Sequence, residues 1–302
     1  MSTIQSRDIS VVVQGPIHHQ ESLTKRVLES VRKHLPDAEL ILSTWKGSDV
    51  SGLDCDILLL NDDPGTVEGV PPSHSNLNRQ IVSTRNGLQK ATRHYAMKLR
   101  TDTLLIGTGF LDAFDRHPER RDDFKAFEHK IVIRTIPNPL RSICSGFYTS
   151  DVFQFGLKTD LLLLWDIPLP TYLNLPSEEY IWTTCLRKTV QDIDYHKLPL
   201  RKRLLLTEIS LFNNFILDTP QNLGLKFPSK LPTHWFYWYT IKEAEERYTF
   251  YIINRSNSLS LSLIDYFILQ LSFFLYRTRS IQLNLGIRKL LDKIFNKFYS
   301  LK

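Results

Sequence analysis

The chain has 302 residues, 42% of them hydrophobic and 11% aromatic, enough for a packed core and too apolar for a wholly disordered protein. Its formal charge is +6, but the excess sits at one end, where Arg277, Arg279, Arg288, Lys289, Lys293, Lys297 and Lys302 face Asp292 alone. A near-neutral body excludes a uniformly basic nucleic-acid binder, so no nucleic-acid partner is expected.

Cys55, Cys144 and Cys185 are scattered, with no CxxC or Cys/His spacing, so neither a zinc site nor a disulfide framework is expected. The opening residues, MSTIQSRDISVVVQG, lack the layout of a secretory signal, and we expect a cytoplasmic, reducing location.

In chain order, ISVVVQGPI (Ile9 to Ile17) reads as a buried strand stopped by Gly15-Pro16. Leu23, Val27, Val31 and Leu35 recur every four residues among charged neighbours and predict an amphipathic helix closed by Pro36. AELILSTW (Ala38 to Trp45) and CDILLLND (Cys55 to Asp62) predict the second and third strands. A helix is expected from about Ser75 to His94, followed by a fourth strand in YAMKLRTDTLLIG (Tyr95 to Gly107) and a fifth in HKIVIRTI (His129 to Ile136). Strands alternating with helices indicate an α/β sheet with parallel strands and right-handed crossovers. Shorter elements follow: SDVFQFG, a helix near Thr159 to Trp165, a helix opening at PSEEYIWTTCL, the basic HKLPLRKRLLL and the aromatic HWFYWYT (His234 to Thr240).

Ligands of such sheets collect at the carboxyl ends of the strands. Those ends carry Gln14-Gly15-Pro16, then Thr44-Trp45-Lys46-Gly47, then Asn61-Asp62-Asp63-Pro64-Gly65, and finally Arg100-Thr101-Asp102. Turn chemistry explains Gly, Pro, Asn and Asp there; it explains Gln14, Trp45, Lys46 and Arg100 less readily. In the helix before strand four, Asn76, Arg79 and Ser83 fall on one face, and a forked guanidinium among amides and hydroxyls suits a sugar or phosphate. Lys98, Arg100 and Asp102 alternate on one strand face, where they either meet a charged ligand or pair with one another. GxGxxG, GxxxxGK[ST] and GxSxG are all missing, which argues against a dinucleotide site, a P-loop and a hydrolase elbow. His18-His19 lack a spaced third ligand and read as surface or substrate contacts.

The succession VVVQGPI, ILSTWKG, NDDPG, NLNRQIVSTRNGL and YAMKLRTD resembles the WavE lipopolysaccharide-synthesis family of bacterial proteins, over roughly Ile9 to Arg187. That resemblance implies a glycosyltransferase with a GT-A-like, Rossmann-related sheet flanked by helices, taking a nucleotide-sugar co-substrate. Such folds carry Asp-x-Asp at the end of strand four, holding a divalent metal against the donor diphosphate. Here the first acid is replaced by Arg100. One carboxylate beside an arginine is a poor Mg²⁺ or Mn²⁺ site, so we expect no required metal, with Asp102 the one ligand if any binds. Arg100, with Lys98 or Lys46, would neutralise diphosphate directly, and Asp102 would hydrogen-bond ribose or donor-sugar hydroxyls.

Inverting transfer needs a base. Glu178 and Glu179, just inside a helix start, are candidates, although acids favour first helical turns for the dipole alone; Asp151 is another. We therefore expect a catalytic domain over 1–200, its donor half about 1–137 and its acceptor half about 138–200, with 201–257 packing on it. Residues 258–302 are expected to form an amphipathic basic extension for an anionic inner-membrane surface, or else a solvated helix. The apolar run Ser258 to Arg279 contains Asp265 and Gln270 and reads as non-spanning. The expected activity moves a sugar onto a lipopolysaccharide core or other lipid-linked glycan acceptor. A sugar nucleotidyltransferase and a non-catalytic nucleotide- or glycan-binding scaffold are the alternatives.

Overall fold

The computed structural model describes residues 4–69, 76–138, 146–227 and 239–259. Cys144, residues His234 to Trp238 of the aromatic cluster, and the apolar run and basic tail beyond residue 259 lie outside them.

The first half follows the sequence pattern. Strand β1 (Ile9–Gln14) leads to helix α1 (Leu23–His34), then to β2 (Glu39–Trp45), β3 (Ile57–Asn61), α2 (Leu77–Lys90) and β4 (Tyr95–Arg100). β1 is buried along its whole length, as a central parallel strand must be, and its side chains alternate between two cores. Val12 packs on one face with Leu77, Ile81 and Leu88 of α2; Val11 and Val13 pack on the other with Val27, Leu28 and Val31 of α1. Helices thus cover both sides of the sheet.

Among the described residues the main sheet has seven strands. After β5 (Leu104–Leu105) and α3 (Gly109–Phe114) come β6 (Ile131–Arg134), β7 (Phe153–Leu157), α4 (Lys158–Trp165), α5 (Ser177–Thr189), α6 (Leu200–Asn214), β8 (Phe215–Asp218), α7 (Pro220–Leu223), β9 (Leu225–Lys226) and α8 (Ile241–Tyr248). The order is β3-β2-β1-β4-β7-β6-β8, with β5 and β9 forming a separate two-stranded sheet.

Two sequence expectations are corrected. The sheet is not wholly parallel: β7 runs antiparallel to both β4 and β6. Parallel neighbours need a crossover element, and the described residues between β6 and β7 form no helix. Nor is Tyr95 to Gly107 one strand. It turns at Thr101-Asp102, where the Thr101 hydroxyl donates to the Pro16 carbonyl at 2.7 Å, and Leu104–Leu105 leaves for the small sheet. Residues 201–257 supply β8, which pairs with β6 in the main sheet.

Candidate active site

The chain winds outward from β1 to β2 and β3, then returns to place β4 on the other side of β1. The crevice at such a switch point, beyond the carboxyl ends of the strands, is where open α/β sheets bind ligands. Gln14 and Arg100, the last residues of β1 and β4, are register partners there. A cleft of about 350 Å³ opens over them, lined by Gln14, Gly15, Pro16, His18, Trp45, Asp63, Asn76, Arg79, Gln80, Ser83, Arg100, Thr101 and Asp102.

Local chemistry explains how these side chains are held. Gly15 has φ 126°, a value that L side chains rarely adopt, and a Cβ there would lie 3.0 Å from the Thr101 hydroxyl. The turn therefore stays tight beside the cleft. Helix α2 approaches the sheet closely because Gly87 lacks a side chain: its Cβ would meet Val12 Cγ1 at 2.3 Å. One turn earlier the Ser83 hydroxyl donates to Gln14 Oε1 at 2.8 Å, tying α2 to the end of β1. One further turn brings Arg79 over the opening.

Both arginines of the cleft are carboxylate-bound. Arg79 donates through Nε and Nη2 to Asp63, each at 2.7 Å. Arg100 donates through the same atoms to Asp102, at 2.9 and 2.6 Å. In each pair Nη1 makes no hydrogen bond to the described residues, so each fork is fixed by its acid while one amine stays available. Hydrogen bonds from Arg79 hold the Asp63 carboxyl below its ordinary range. Burial works against the charge of Arg100, but Asp102 outweighs it and raises the guanidinium above its usual value. Trp45 is half-buried at the end of β2, and Gln80 Oε1 has no hydrogen-bond partner among the described residues.

Of the residues expected to bind a donor, Gln14, Gly15, Pro16, Trp45, Asn76, Arg79, Ser83, Arg100 and Asp102 meet in this cleft. Thr44, Lys46, Asn61, Asp62 and Lys98 do not line it. Thr44 is buried within β2. Lys46 and Asp62 pair at 2.8 Å, both well exposed. Asn61 is an internal bridge, donating to Ser43 Oγ and the Thr44 carbonyl and accepting from Asn86. Lys98 and Arg100 point to the same sheet face, but Lys98 is fully buried, its Nζ 4.9 Å above the Trp165 ring and without a hydrogen-bond partner among the described residues. Burial pushes that ammonium down to about 8, against the opposing pull of Asp151.

Of the other lining residues, sequence reasoning read His18 as a surface or substrate contact, named Asp63 and Thr101 only as members of strand-end turns, and did not single out Gln80. For Asp63 the signal was present in NDDPG, where Gly65 N–H donates to Asp63 Oδ1 at 2.9 Å. Which of the two adjacent acids faces the cleft follows from that turn.

A second, smaller cavity of about 60 Å³ lies at the same sheet edge, lined by Arg134, Ile136, Pro137, Tyr148, Thr149, Ser150, Asp151 and Glu178. It adjoins β4 because β7 is antiparallel: Phe153 pairs with Leu99, so Asp151 falls beside the β4 turn. Glu178 is in the first turn of α5, whose cap position is Pro176. Although a helix dipole favours an ionised acid there, burial and the Asp151 charge dominate and push the carboxyl up to about 7. Glu179, one position on, is fully buried and lines neither cavity.

A metal is part of the chemistry implied for such folds, and the residues do not fit one. Both Asp102 oxygens accept from Arg100, and among the described residues no three His, Cys, Asp or Glu side chains gather as a cation site. No described helix is long and apolar enough to cross a membrane. No curated protein matches the chain. A family model for WavE lipopolysaccharide synthesis does match it, over residues 9–277, which span the main sheet, the switch-point cleft and the second cavity. The chain belongs to the WavE lipopolysaccharide synthesis family.

Proposed function

We propose that the protein is a glycosyltransferase of GT-A-like architecture, moving a sugar from a nucleotide-sugar donor to a lipopolysaccharide core or related surface glycan. The observation that carries this reading is the switch-point cleft, where two acid-clamped arginines each leave an amine free beside Trp45 and uncharged hydrogen-bonding groups. Its volume suits a small-molecule ligand. Arg100 and Arg79 would bind the diphosphate, Trp45 would support the base, and Asn76, Gln80 and Ser83 would meet sugar hydroxyls. Charge on the departing diphosphate would be compensated by guanidinium groups, without a bound cation. An acceptor carried on a lipid would explain the cationic terminal segment, which would hold the enzyme at an anionic inner leaflet from the cytoplasmic side.

The test is a thermal-shift screen of nucleotide sugars with Mn²⁺ and with EDTA. A donor that stabilises the protein equally in both is the expected result; no stabilisation by any donor would overturn the reading. Asp102→Asn separates an enzyme from a binding scaffold, since it should abolish nucleoside-diphosphate release while the protein stays folded.

A further inference from the structure

We infer that the small cavity beside the donor cleft is the acceptor subsite, and that Glu178, rather than Glu179, is the group that takes the proton from the attacking sugar hydroxyl. This rests on the glycosyltransferase reading above and adds to it the identity of the base and the place where the acceptor reacts.

The cavity carries buried polar groups in a largely apolar lining. Thr149 is fully buried and Ser150 is 4% exposed, yet neither hydroxyl has a hydrogen-bond partner among the described residues. Glu178 Oε2 is likewise shielded and unpartnered. Buried oxygens of this kind are rare because each forfeits its hydrogen bonds to water. Three around one opening define a site for a ligand rich in hydroxyls. A sugar hydroxyl can donate to the carboxylate and accept from Thr149 or Ser150. The Tyr148 side chain hydrogen-bonds the Glu178 carboxyl and helps to orient it.

The charged groups around Glu178 come from four elements. Asp151 precedes β7, Arg134 ends β6, Lys98 lies on β4, and Tyr148 is in the preceding loop. Asp151, Lys98 and Arg134 together set the local charge at the Glu178 carboxyl. Glu178 is the carboxyl of the group with an unpartnered oxygen shielded from solvent.

The step balances simply. The acceptor O–H proton passes to Glu178 as the acceptor oxygen bonds to the anomeric carbon. The bond from that carbon to the diphosphate oxygen breaks, and its electron pair leaves with the nucleoside diphosphate beside Arg100. One displacement inverts the anomeric centre. Asp151 and Lys98 are positioning residues that set the charge of Glu178 without touching the reacting atoms.

The experiment uses the full chain, with UDP-glucose, UDP-galactose and GDP-mannose as donors and deacylated core oligosaccharide or water as acceptor. Nucleoside-diphosphate release is followed from pH 5.5 to 9, and donor binding by thermal shift. Glu178→Gln is expected to bind donor within about twofold of the wild type and to release diphosphate at least about 100-fold more slowly. Asp151→Asn removes the neighbouring negative charge and should move the acid limb of the profile down by about one pH unit. Lys98→Met removes a positive charge and should move it up. A Glu178→Gln protein of normal rate, or an Asp151→Asn profile with an unmoved acid limb, would overturn the assignment and leave the cavity as a water site. A wild type that binds donor but releases no diphosphate would also overturn it. A wild type that binds none of the donors would instead overturn the transferase reading beneath it.

Discussion

Arg100 grips Asp102 across a single intervening threonine, with Nε and Nη2 donating to the two carboxylate oxygens at 2.9 and 2.6 Å. The strand ends between them, so the pair closes the turn that faces the donor cleft. Asp102 is only 3% exposed, whereas Arg100 keeps 30% of its side chain in solvent. Removing the arginine would strand a buried carboxylate. Because water reaches the arginine side, the cost falls below that of a fully buried pair, at about 2 kcal/mol. Arg100→Met is expected to show this loss in chemical denaturation at pH 7, together with at least a tenfold weaker nucleotide-sugar affinity. Wild-type affinity in a stable Arg100→Met protein would remove Arg100 from the donor site.

Gly87 sets the distance between α2 and β1. A methyl group there meets Val12 Cγ1 at 2.3 Å, in a stretch buried on both sides. Overpacking of this kind costs about 1–3 kcal/mol, and the strain falls one turn from the Ser83–Gln14 hydrogen bond. Gly87→Ala should therefore lower thermal stability and donor affinity together. Asn86→Ala, which removes only the bond to Asn61, should spare the affinity.

Lys130 immediately precedes β6, at the end of the sheet opposite the cleft. It is buried, its Nζ 4.3 Å above the Tyr248 ring and without a hydrogen-bond partner among the described residues. Burial, aided by repulsion from Arg120 and opposed by Glu119, lowers the ammonium to about 7. From about pH 7 up to the ordinary lysine range, the unfolded chain keeps a proton that the folded one has released, so this group makes stability rise with pH. Lys130→Met should remove that contribution. It is expected to be more stable than the wild type at pH 7, by about 1 kcal/mol, with the advantage shrinking by pH 9. An advantage of equal size at both values would show that Lys130 keeps its proton throughout.

The cationic segment offers a separate test. Each Lys or Arg near an anionic bilayer is worth about 1 kcal/mol, and Arg277 to Lys302 holds the chain's whole charge excess. A chain ending at Tyr276 is expected to lose most of its co-sedimentation with phosphatidylglycerol vesicles and to keep its affinity for soluble donor. Unchanged sedimentation would assign the segment another role.

Much of the architecture was legible because hydrophobic periodicity is a local property. The run Ser10 to Gln14 and the four-residue repeat of α1 follow from which residues must leave water, and the polar strand ends stand out against them. The shared face of Asn76, Arg79 and Ser83 was equally readable, since helical geometry alone aligns them.

What lies opposite that face was decided only by the tertiary structure. Gln14 and Ser83 are 69 positions apart, and their hydrogen bond exists because β1 is central and Gly87 lets α2 close on it. The same holds for Asp63 over Asp62, for Glu178 over Glu179, and for Lys98, which packs on Trp165 and stays out of the cleft. Adjacent side chains point in different directions on any turn or helix, and sequence assigns both the same chemistry. Which one meets a cavity depends on the rotation and depth of its element, set by packing among residues far apart in the chain.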